Sequence, residues 1–390
     1  MARPTSSPLA TSLLIGLGAV TVPSLVYITI PIAPLVARDY SIAPPQAWIG
    51  SLPSLVYAAF FLLFGPLSDR IGRRQLLVTG VAALAVITAL TGLANSLVPL
   101  VIFRVLQAIA GATYPPVAWA FLALVLPPGF RNTGFAIVIT GYFSAGIAGQ
   151  IFGGAVGQAA GWRWVFWSLA VVYGLIALML GRWLPVDPPP SGQPLTSAYR
   201  RMPGLLRRPE LLAIYGAGLT LLLSFVAMYS ALTDDMAGRP RAVLDVRLVG
   251  LVGILLAPLL SRLTRRLPLH AVAAGALTVA AAGLALEGGA ASTGSLPAIA
   301  VAALLYAIAI ASAAPPLISL LLQQAEVAIR GAASAIFTFC LFAGAGLGPL
   351  LALGLQRPGM EAICLVSALL LLGGAGAVSI TRANQRTSPG

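Results

Sequence analysis

The side chains that could do chemistry in this chain are a few charged and amide groups set among long apolar runs. Arg104 and Gln107 lie about one helical turn apart inside such a run. A guanidinium in lipid is expensive, so Arg104 is expected to have a partner. That partner is either an anionic or carbonyl group of a ligand, a group that exchanges protons, or the backbone carbonyls of a neighbouring helix. The first two give Arg104 a functional role and the third a structural one.

A second concentration of charge is "GPLSDRIGRR", from Gly65 to Arg74. Its arginines are expected to hold a loop on one side of a membrane. Asp69 does not share that role, because acids contribute little to membrane topology. Its carboxylate can instead pair with Arg73 or Arg74, or cap the positive N-terminus of a neighbouring helix. The alternative is that all these charges only fix topology.

The remaining sequence is too apolar for a soluble domain. Of 390 residues, 59% are hydrophobic and 8% charged, whereas soluble domains carry roughly 25% charged residues. Many runs reach the roughly 20 residues that a membrane-spanning helix needs. The sequence predicts an all-α integral membrane protein with twelve transmembrane helices, at 11–34, 46–67, 76–95, 98–126, 133–158, 163–184, 210–233, 245–263, 268–288, 296–322, 331–355 and 361–381.

The twelve runs divide into two halves. Residues 185–209 are Pro-rich, polar and basic, which predicts a cytoplasmic linker between six-helix bundles at 1–184 and 210–390. Landmarks repeat in order between the halves at shifts of about 200 positions, as expected for a parallel repeat. These landmarks are "GPLSDRIGRR" with "APLLSRLTRR" (257–266), Pro115-Pro116 with Pro315-Pro316, and Arg131 with Arg330.

Loop charge predicts the orientation. If the N-terminus is cytoplasmic, sixteen arginines fall on that face and six on the other, while Arg104 lies inside the fourth run. This asymmetry predicts a multi-pass protein whose two termini are both cytoplasmic. The first apolar run lacks a small-residue cleavage site, so it is expected to be a retained helix.

The segment Gly65 to Arg74 resembles the signature loop of the major facilitator superfamily, G-x-L-a-D-r-x-G-r-[KR], at the position where that family has it. Arg104 to Ala108 is similar to a second family motif, R-x-x-q-G, with Ala in place of Gly. The antiporter motif G-x-x-x-G-P-x-x-G-G is matched in part, because Gln150 stands where Pro is expected and Ala145 where the first Gly is. The likeness covers essentially the whole chain. It is nearest in character to the bacterial drug-efflux and sugar-efflux branch, which implies the bacterial plasma (inner) membrane.

The resemblance implies a latch that forms when the cytoplasmic gate is shut, in which the acid of the loop meets the start of the eleventh helix. For the pair Glu326 and Arg330, a gate salt bridge and a plain surface pair both remain open. The expected latch residues are Gly65, Asp69, Arg70, Gly72, Arg73, Arg74, Glu326 and Arg330.

Two further groups of residues are candidates for the transport pathway. A substrate or coupling cavity would use aromatic and amide side chains, although each could equally pack between helices: Arg104, Gln107, Tyr27, Tyr114, Trp119, Tyr142, Gln150, Tyr229 and Tyr306. Small residues and one proline would allow close helix packing or bending: Gly149, Gly153, Gly154, Gly348 and Pro349.

Acids are scarce inside the apolar runs. Asp234, Asp235 and Glu287 are expected to be solvated helix ends rather than proton carriers. A buried arginine without a buried acid then favours neutral or anionic substrates over cationic ones.

The sequence therefore predicts a secondary active transporter that works by alternating access. Proton-coupled efflux of a drug-like or metabolite substrate is favoured, and import or uniport of a small neutral or anionic metabolite is the alternative. An enzyme is not expected, because the chain has one His, no Walker-type loop and no cluster of metal ligands. No cofactor or metal is expected. The expected partners are a small-molecule substrate, protons and the lipid bilayer, with no nucleic acid, and the chain is expected to be a monomer.

Overall fold

The computed structural model describes residues 7–41, 47–186, 203–263, 267–325 and 330–387. Backbone alone is described at 69, 128, 132, 260–263, 330–331 and 381–387.

Within these residues the chain forms twelve helical spans that are long and apolar enough to cross a membrane, and it forms no strand. The predicted all-α fold with twelve transmembrane helices is confirmed. Leucines and valines such as Val171, Leu178 and Val252 remain more than half exposed on the outer faces of these helices. Such faces are suited to contact with lipid chains.

The N-terminal bundle contains spans 1 to 6. Their helices are Pro8–Thr21, Ser24–Tyr27 and Thr29–Tyr40 in span 1, the π-helical turn Ala47–Ser51 and Leu52–Ile71 in span 2, Arg73–Gly92 in span 3, Leu97–Gly111 and Tyr114–Val125 in span 4, Pro128–Ala160 in span 5, and Trp162–Trp183 in span 6.

The C-terminal bundle contains spans 7 to 12. Their helices are Pro209–Asp235, Pro240–Leu263, Leu269–Thr293, Leu296–Gln324, Arg330–Gly354 and Met360–Thr387.

The chain separates into two compact units, Met1–Leu195 and Thr196–Gly390. The boundary falls inside the segment 185–209 that the sequence predicts as a linker. Residues 187–202 of that segment lie outside the described residues.

Span 1 is broken where a proline interrupts its hydrogen bonds. Pro23 has no N–H to donate, and its ring excludes the carbonyl four residues earlier. The helix ends at Thr21 and restarts at Ser24. At the break, the N–H of Val26 donates to the oxygen of Pro23 over 3.0 Å, a tighter turn than that of an α-helix.

The repeated double proline acts differently in the two bundles. In span 4 the helix stops at Gly111, and a new helix begins at Tyr114, directly before Pro115. In span 10 the helix Leu296–Gln324 continues through Pro315 and Pro316. The repeat therefore preserves the residues but not the local backbone.

Glycines let two pairs of helices approach closely, one pair in each bundle. A Cβ at Gly149 in span 5 would lie 3.0 Å from the Cβ of Ser24 in span 1, and one at Gly348 in span 11 would lie 2.8 Å from the oxygen of Leu223 in span 7. Gly149 and Gly348 are 199 positions apart, and so are Ser24 and Leu223. The two bundles therefore pack these helices in the same way.

The other residues expected in this group occupy related positions. Gly153 lies against span 1, where an added Cβ would be 2.9 Å from the oxygen of Ile28. Gly154 is buried in span 5, and Pro349 is buried within the unbroken helix Arg330–Gly354.

Candidate functional site

The N-terminal bundle contains a fully buried cation, Arg104 of span 4. Its Nε donates to the oxygen of Ile49 over 3.0 Å, and its Nη2 donates to the oxygen of Leu25 over 2.9 Å. Its Nη1 donates to Oε1 of Gln107 over 2.9 Å, and Nε2 of Gln107 donates to Oγ1 of Thr88 over 2.8 Å. The network joins span 4 to spans 1, 2 and 3.

The sequence explains why one of these carbonyls is available. In a helix, the oxygen of Ile49 would accept from the N–H of the residue four positions later, which is Pro53 and has no N–H. Arg104 supplies the missing donor. The guanidinium also lies 5.8 Å from the centre of the Phe166 ring in span 6, close enough for a cation–π contact.

These contacts match the structural role considered for Arg104, because a carbonyl of span 1 and one of span 2 accept its hydrogen bonds. A role in binding substrate or coupling protons would require some of these bonds to exchange. That role remains a proposal.

The other polar residues predicted for the cavity of the N-terminal bundle also have partners within it. The hydroxyl of Tyr114 donates to the oxygen of Ile15 over 2.8 Å, and that of Tyr142 donates to the oxygen of Pro115 over 3.3 Å. Nε2 of the buried Gln150 donates to the oxygen of Gly146 over 2.8 Å.

The remaining aromatic candidates fall into two groups. Trp119 and Tyr142 are brought together, with ring centroids 5.8 Å apart, and Tyr27 is buried in the same bundle. Tyr229 and Tyr306 are both fully buried in the C-terminal bundle, where the Tyr306 hydroxyl lies 3.0 Å from that of Ser224.

The segment Gly65 to Arg74 forms the end of span 2, a one-residue break and the start of span 3. Gly72 has φ 104° and ψ 131°, a conformation that favours glycine. Arg74 donates from Nε to the oxygen of Leu184 over 3.1 Å and from Nη2 to the oxygen of Gly181, at the C-terminal end of span 6. A cation at this position complements the partial negative charge of the helix end.

The other residues predicted for the latch are described less completely. Asp69 lies in the last turn of the span 2 helix, but its side chain is outside the described part. Glu326 lies outside the described residues altogether. Arg330 begins the helix of span 11, and its side chain is not described. The latch remains a proposal.

The sequence did not predict a cluster that joins the ends of spans 1, 3 and 6. Oδ2 of Asp39 accepts from Nη1 of Arg163 and from Nε1 of Trp162, each over 2.8 Å. The Tyr40 hydroxyl donates to the oxygen of Ala94 over 2.8 Å. Trp162 is buried, with 2% of its surface exposed. Its indole packs under the Arg163 guanidinium, which lies 4.3 Å from the ring centre.

The expectation that Glu287 is a solvated helix end is wrong, because its side chain is 0% exposed. The predicted span ended at 288, whereas the helix continues to Thr293. Gly288 lets span 12 approach this last part of the helix, since a Cβ added there would lie 3.0 Å from the Cβ of Cys364. Asp234 and Asp235 are exposed at the end of span 7, as expected. The expected preference for neutral or anionic substrates assumed that no acid is buried in the spans. That assumption is wrong for the C-terminal bundle, because Glu287 is buried there.

Comparison with known proteins agrees with this architecture. A bacterial homologue of the human lysosomal transporter Spinster, solved in an inward-facing and unoccupied conformation, has a TM-score of 0.73 and 19% identity over 100% of both chains. At that identity the likeness shows the fold alone.

Curated relatives match over shorter segments. Identity is 32% over 200 residues with a probable transporter, SCO4007, of Streptomyces coelicolor, 38% over 150 residues with the tetracenomycin C resistance and export protein of Streptomyces glaucescens, and 36% over 164 residues with the multidrug efflux pump LfrA of Mycolicibacterium smegmatis. These segments cover 51%, 38% and 41% of this chain and 46%, 28% and 32% of the three relatives. The match thus spans less than half the length of each relative.

The sequence pattern of the Major Facilitator Superfamily matches residues 15–349. Together with twelve spans in two bundles, this match supports the transporter interpretation and speaks against an enzyme. The chain belongs to the Major Facilitator Superfamily.

Proposed function

We propose that this chain exports an apolar, drug-like or metabolite small molecule across the bacterial plasma membrane by alternating access, driven by the inward movement of protons. The observation that carries the proposal is the similarity to relatives named for export: the tetracenomycin C resistance and export protein is 38% identical over 150 residues, and LfrA is 36% identical over 164 residues. The proposal places both termini in the cytoplasm and treats the monomer as the transporting unit.

The distribution of apolar and charged side chains in the structure supports this proposal. The side chains that line the interior of the bundles are overwhelmingly apolar or aromatic, as suits a pathway for an apolar molecule. A buried carboxylate at Glu287 adds a group that could carry a proton. Because that acid is present, the substrate need not be neutral or anionic.

The direct test is flux through the purified protein in liposomes. Three fluorescent probes cover the possible charges: Nile red is neutral, fluorescein anionic and ethidium cationic. An imposed pH difference, acidic on the side that corresponds to the cell exterior, should drive at least one probe toward that side. Flux that ignores the pH difference would favour the uniporter, and absence of flux for all three would contradict drug-like export.

The proposed latch gives a specific expectation for Asp69→Asn. If the carboxylate of Asp69 stabilises the state with a closed cytoplasmic gate, its loss removes a hydrogen bond to a charged group, worth roughly 1.5–3 kcal/mol. We expect transport about tenfold slower, with normal insertion, because about 1.4 kcal/mol corresponds to a factor of ten.

The matched control for Asp69→Asn is Asp245→Asn, which makes the same change at an exposed carboxylate of span 8. Both variants should reach the membrane at the wild-type level, and Asp245→Asn should transport normally. Wild-type flux in Asp69→Asn would rule the latch out.

A further inference from the structure

Span 9 contains a buried acid, Glu287, that takes no part in the hydrogen-bond network around Arg104. Its side chain is 0% exposed, and neither carboxylate oxygen has a hydrogen-bond partner among the described residues. An ionised carboxylate without water or a donor is very costly, and binding a proton removes that cost. Intramembrane ionisable groups of this kind mark functional sites by default.

The groups around Glu287 come from three other spans. Span 9 packs against spans 10 and 12. The charge of Glu287 acts on Tyr306 of span 10, Cys364 of span 12 and Tyr229 of span 7. The charge of Asp235, which is exposed at the end of span 7, also acts on Cys364.

Tyr229 lies within electrostatic reach of both Glu287 and a buried arginine, Arg247 of span 8. The Tyr229 hydroxyl has no hydrogen-bond partner in the part of the chain that the structure describes. Arg247 is 4% exposed, and its Nη2 donates to Oγ1 of Thr233 over 2.8 Å. Its Nε has no partner among the described residues. The unused hydroxyl of Tyr229 thus lies within electrostatic reach of an acid without a donor, and Arg247 lies within reach of the same hydroxyl.

These residues lie at one end of the C-terminal bundle. Glu287 is in the last two turns of span 9, Arg247 is in the first turns of span 8, and Tyr229 is less than two turns from the end of span 7. With the proposed orientation, this is the outer end, from which protons would enter an exporter.

We propose that Glu287 is the proton-binding site of this transporter, and that Tyr229 and Arg247 hold its ionised form. In the protonated state the acid is neutral and needs no strong donor. When Glu287 releases its proton to water on the cytoplasmic side, the Tyr229 hydroxyl donates to the carboxylate, and Arg247 acts on that same hydroxyl. The summed charge of Glu287 and Arg247 then changes from +1 to 0. The inference rests on the proposed function, since it assigns the residue through which the proton gradient acts.

Infrared difference spectroscopy of the protein in lipid nanodiscs tests the site without a substrate. A step from about pH 6, where ordinary carboxyls with a pKa near 4 are already ionised, to high pH should remove the C=O stretching band of a protonated carboxylic acid in the wild type. That band should be missing in Glu287→Gln and present in Glu361→Gln, the same change at an exposed acid of span 12. Tyr229→Phe should shift the pH midpoint of the band upward by about one unit, because the ionised form loses a donor. A band that persists in Glu287→Gln, or that is missing from the wild type, would overturn the assignment.

Nile red flux in proteoliposomes separates this inference from the proposed function. If the wild type ignores the pH gradient, proton-driven export itself fails. If the wild type responds and Glu287→Gln responds equally, only the assignment of Glu287 fails. The expected result is that Glu287→Gln moves Nile red down its own gradient but loses the acceleration by the pH difference. Should Glu287→Gln not yield folded protein, the upward midpoint shift of Tyr229→Phe decides, and an unchanged midpoint would count against the site.

Discussion

Replacing Arg104 with Leu should destabilise the N-terminal bundle by about 2 kcal/mol or more. Three interhelical or side-chain hydrogen bonds would be lost, and such bonds in membrane proteins contribute about 0.6 kcal/mol each on average. The carbonyls of Ile49 and Leu25 and Oε1 of Gln107 would also remain buried without a donor, which adds to the loss. Unfolding by denaturant in the same lipid–detergent mixture measures the change.

The Arg104 experiment distinguishes the two roles considered for this residue. Arg38→Leu removes an exposed arginine of span 1 and should leave the unfolding free energy within about 0.5 kcal/mol of wild type. Arg104→Lys keeps the charge but not the planar arrangement of donors, so it should be intermediate. If Arg104→Leu has wild-type stability and no transport, the structural account is wrong and a direct role in transport is favoured.

Replacing Gly348 with Val should sharply reduce the amount of folded protein. An added Cβ would lie 2.8 Å from the oxygen of Leu223 and 2.9 Å from the nitrogen of Ala227, both backbone atoms of span 7. Spans 7 and 11 would have to separate, and overpacking typically costs about 1–3 kcal/mol. Separation would also disturb the buried Tyr229 and the other residues of span 7 that depend on this packing.

Gly354→Val is the matched control for Gly348→Val. It makes the same change near the end of the same helix, where an added Cβ would meet no atom within 4 Å. Monodisperse protein recovered by size-exclusion chromatography should fall for Gly348→Val and stay near wild type for Gly354→Val. Equal recovery for the two variants would show that the close approach of spans 7 and 11 is not required.

The twelve spans could be predicted because hydropathy and length report directly on the solvent around each helix. The parallel repeat was also visible in the sequence, since Pro115-Pro116 and Arg131 recur in order in the second half. The structure adds that Gly149 and Gly348 pack against equivalent helices. The different behaviour of Pro115-Pro116 and Pro315-Pro316 could not be predicted. Whether a proline breaks a membrane helix depends on how neighbouring groups satisfy the freed carbonyl, and that is a property of the packed bundle.

The candidate site could be predicted only in part, because its contacts join residues that are far apart in the sequence. Arg104 and Gln107 could be selected because charge and amides are rare in apolar runs, but their acceptors lie far away in sequence. The pairing of Asp39 with Arg163 joins positions 124 residues apart. Glu287 was misplaced because the predicted span ended at 288, whereas the helix continues to Thr293 and Gly288 packs closely against span 12.

Proton movement measured inside liposomes tests the central claim most directly. The purified transporter is reconstituted with the pH-sensitive dye pyranine trapped in the lumen, and Nile red is added outside without any imposed pH difference. Antiport predicts that Nile red entry drives protons out, so the lumen becomes alkaline with the wild type and not with Glu287→Gln. Entry of Nile red through the wild type with no change in lumenal pH would contradict proton-coupled export.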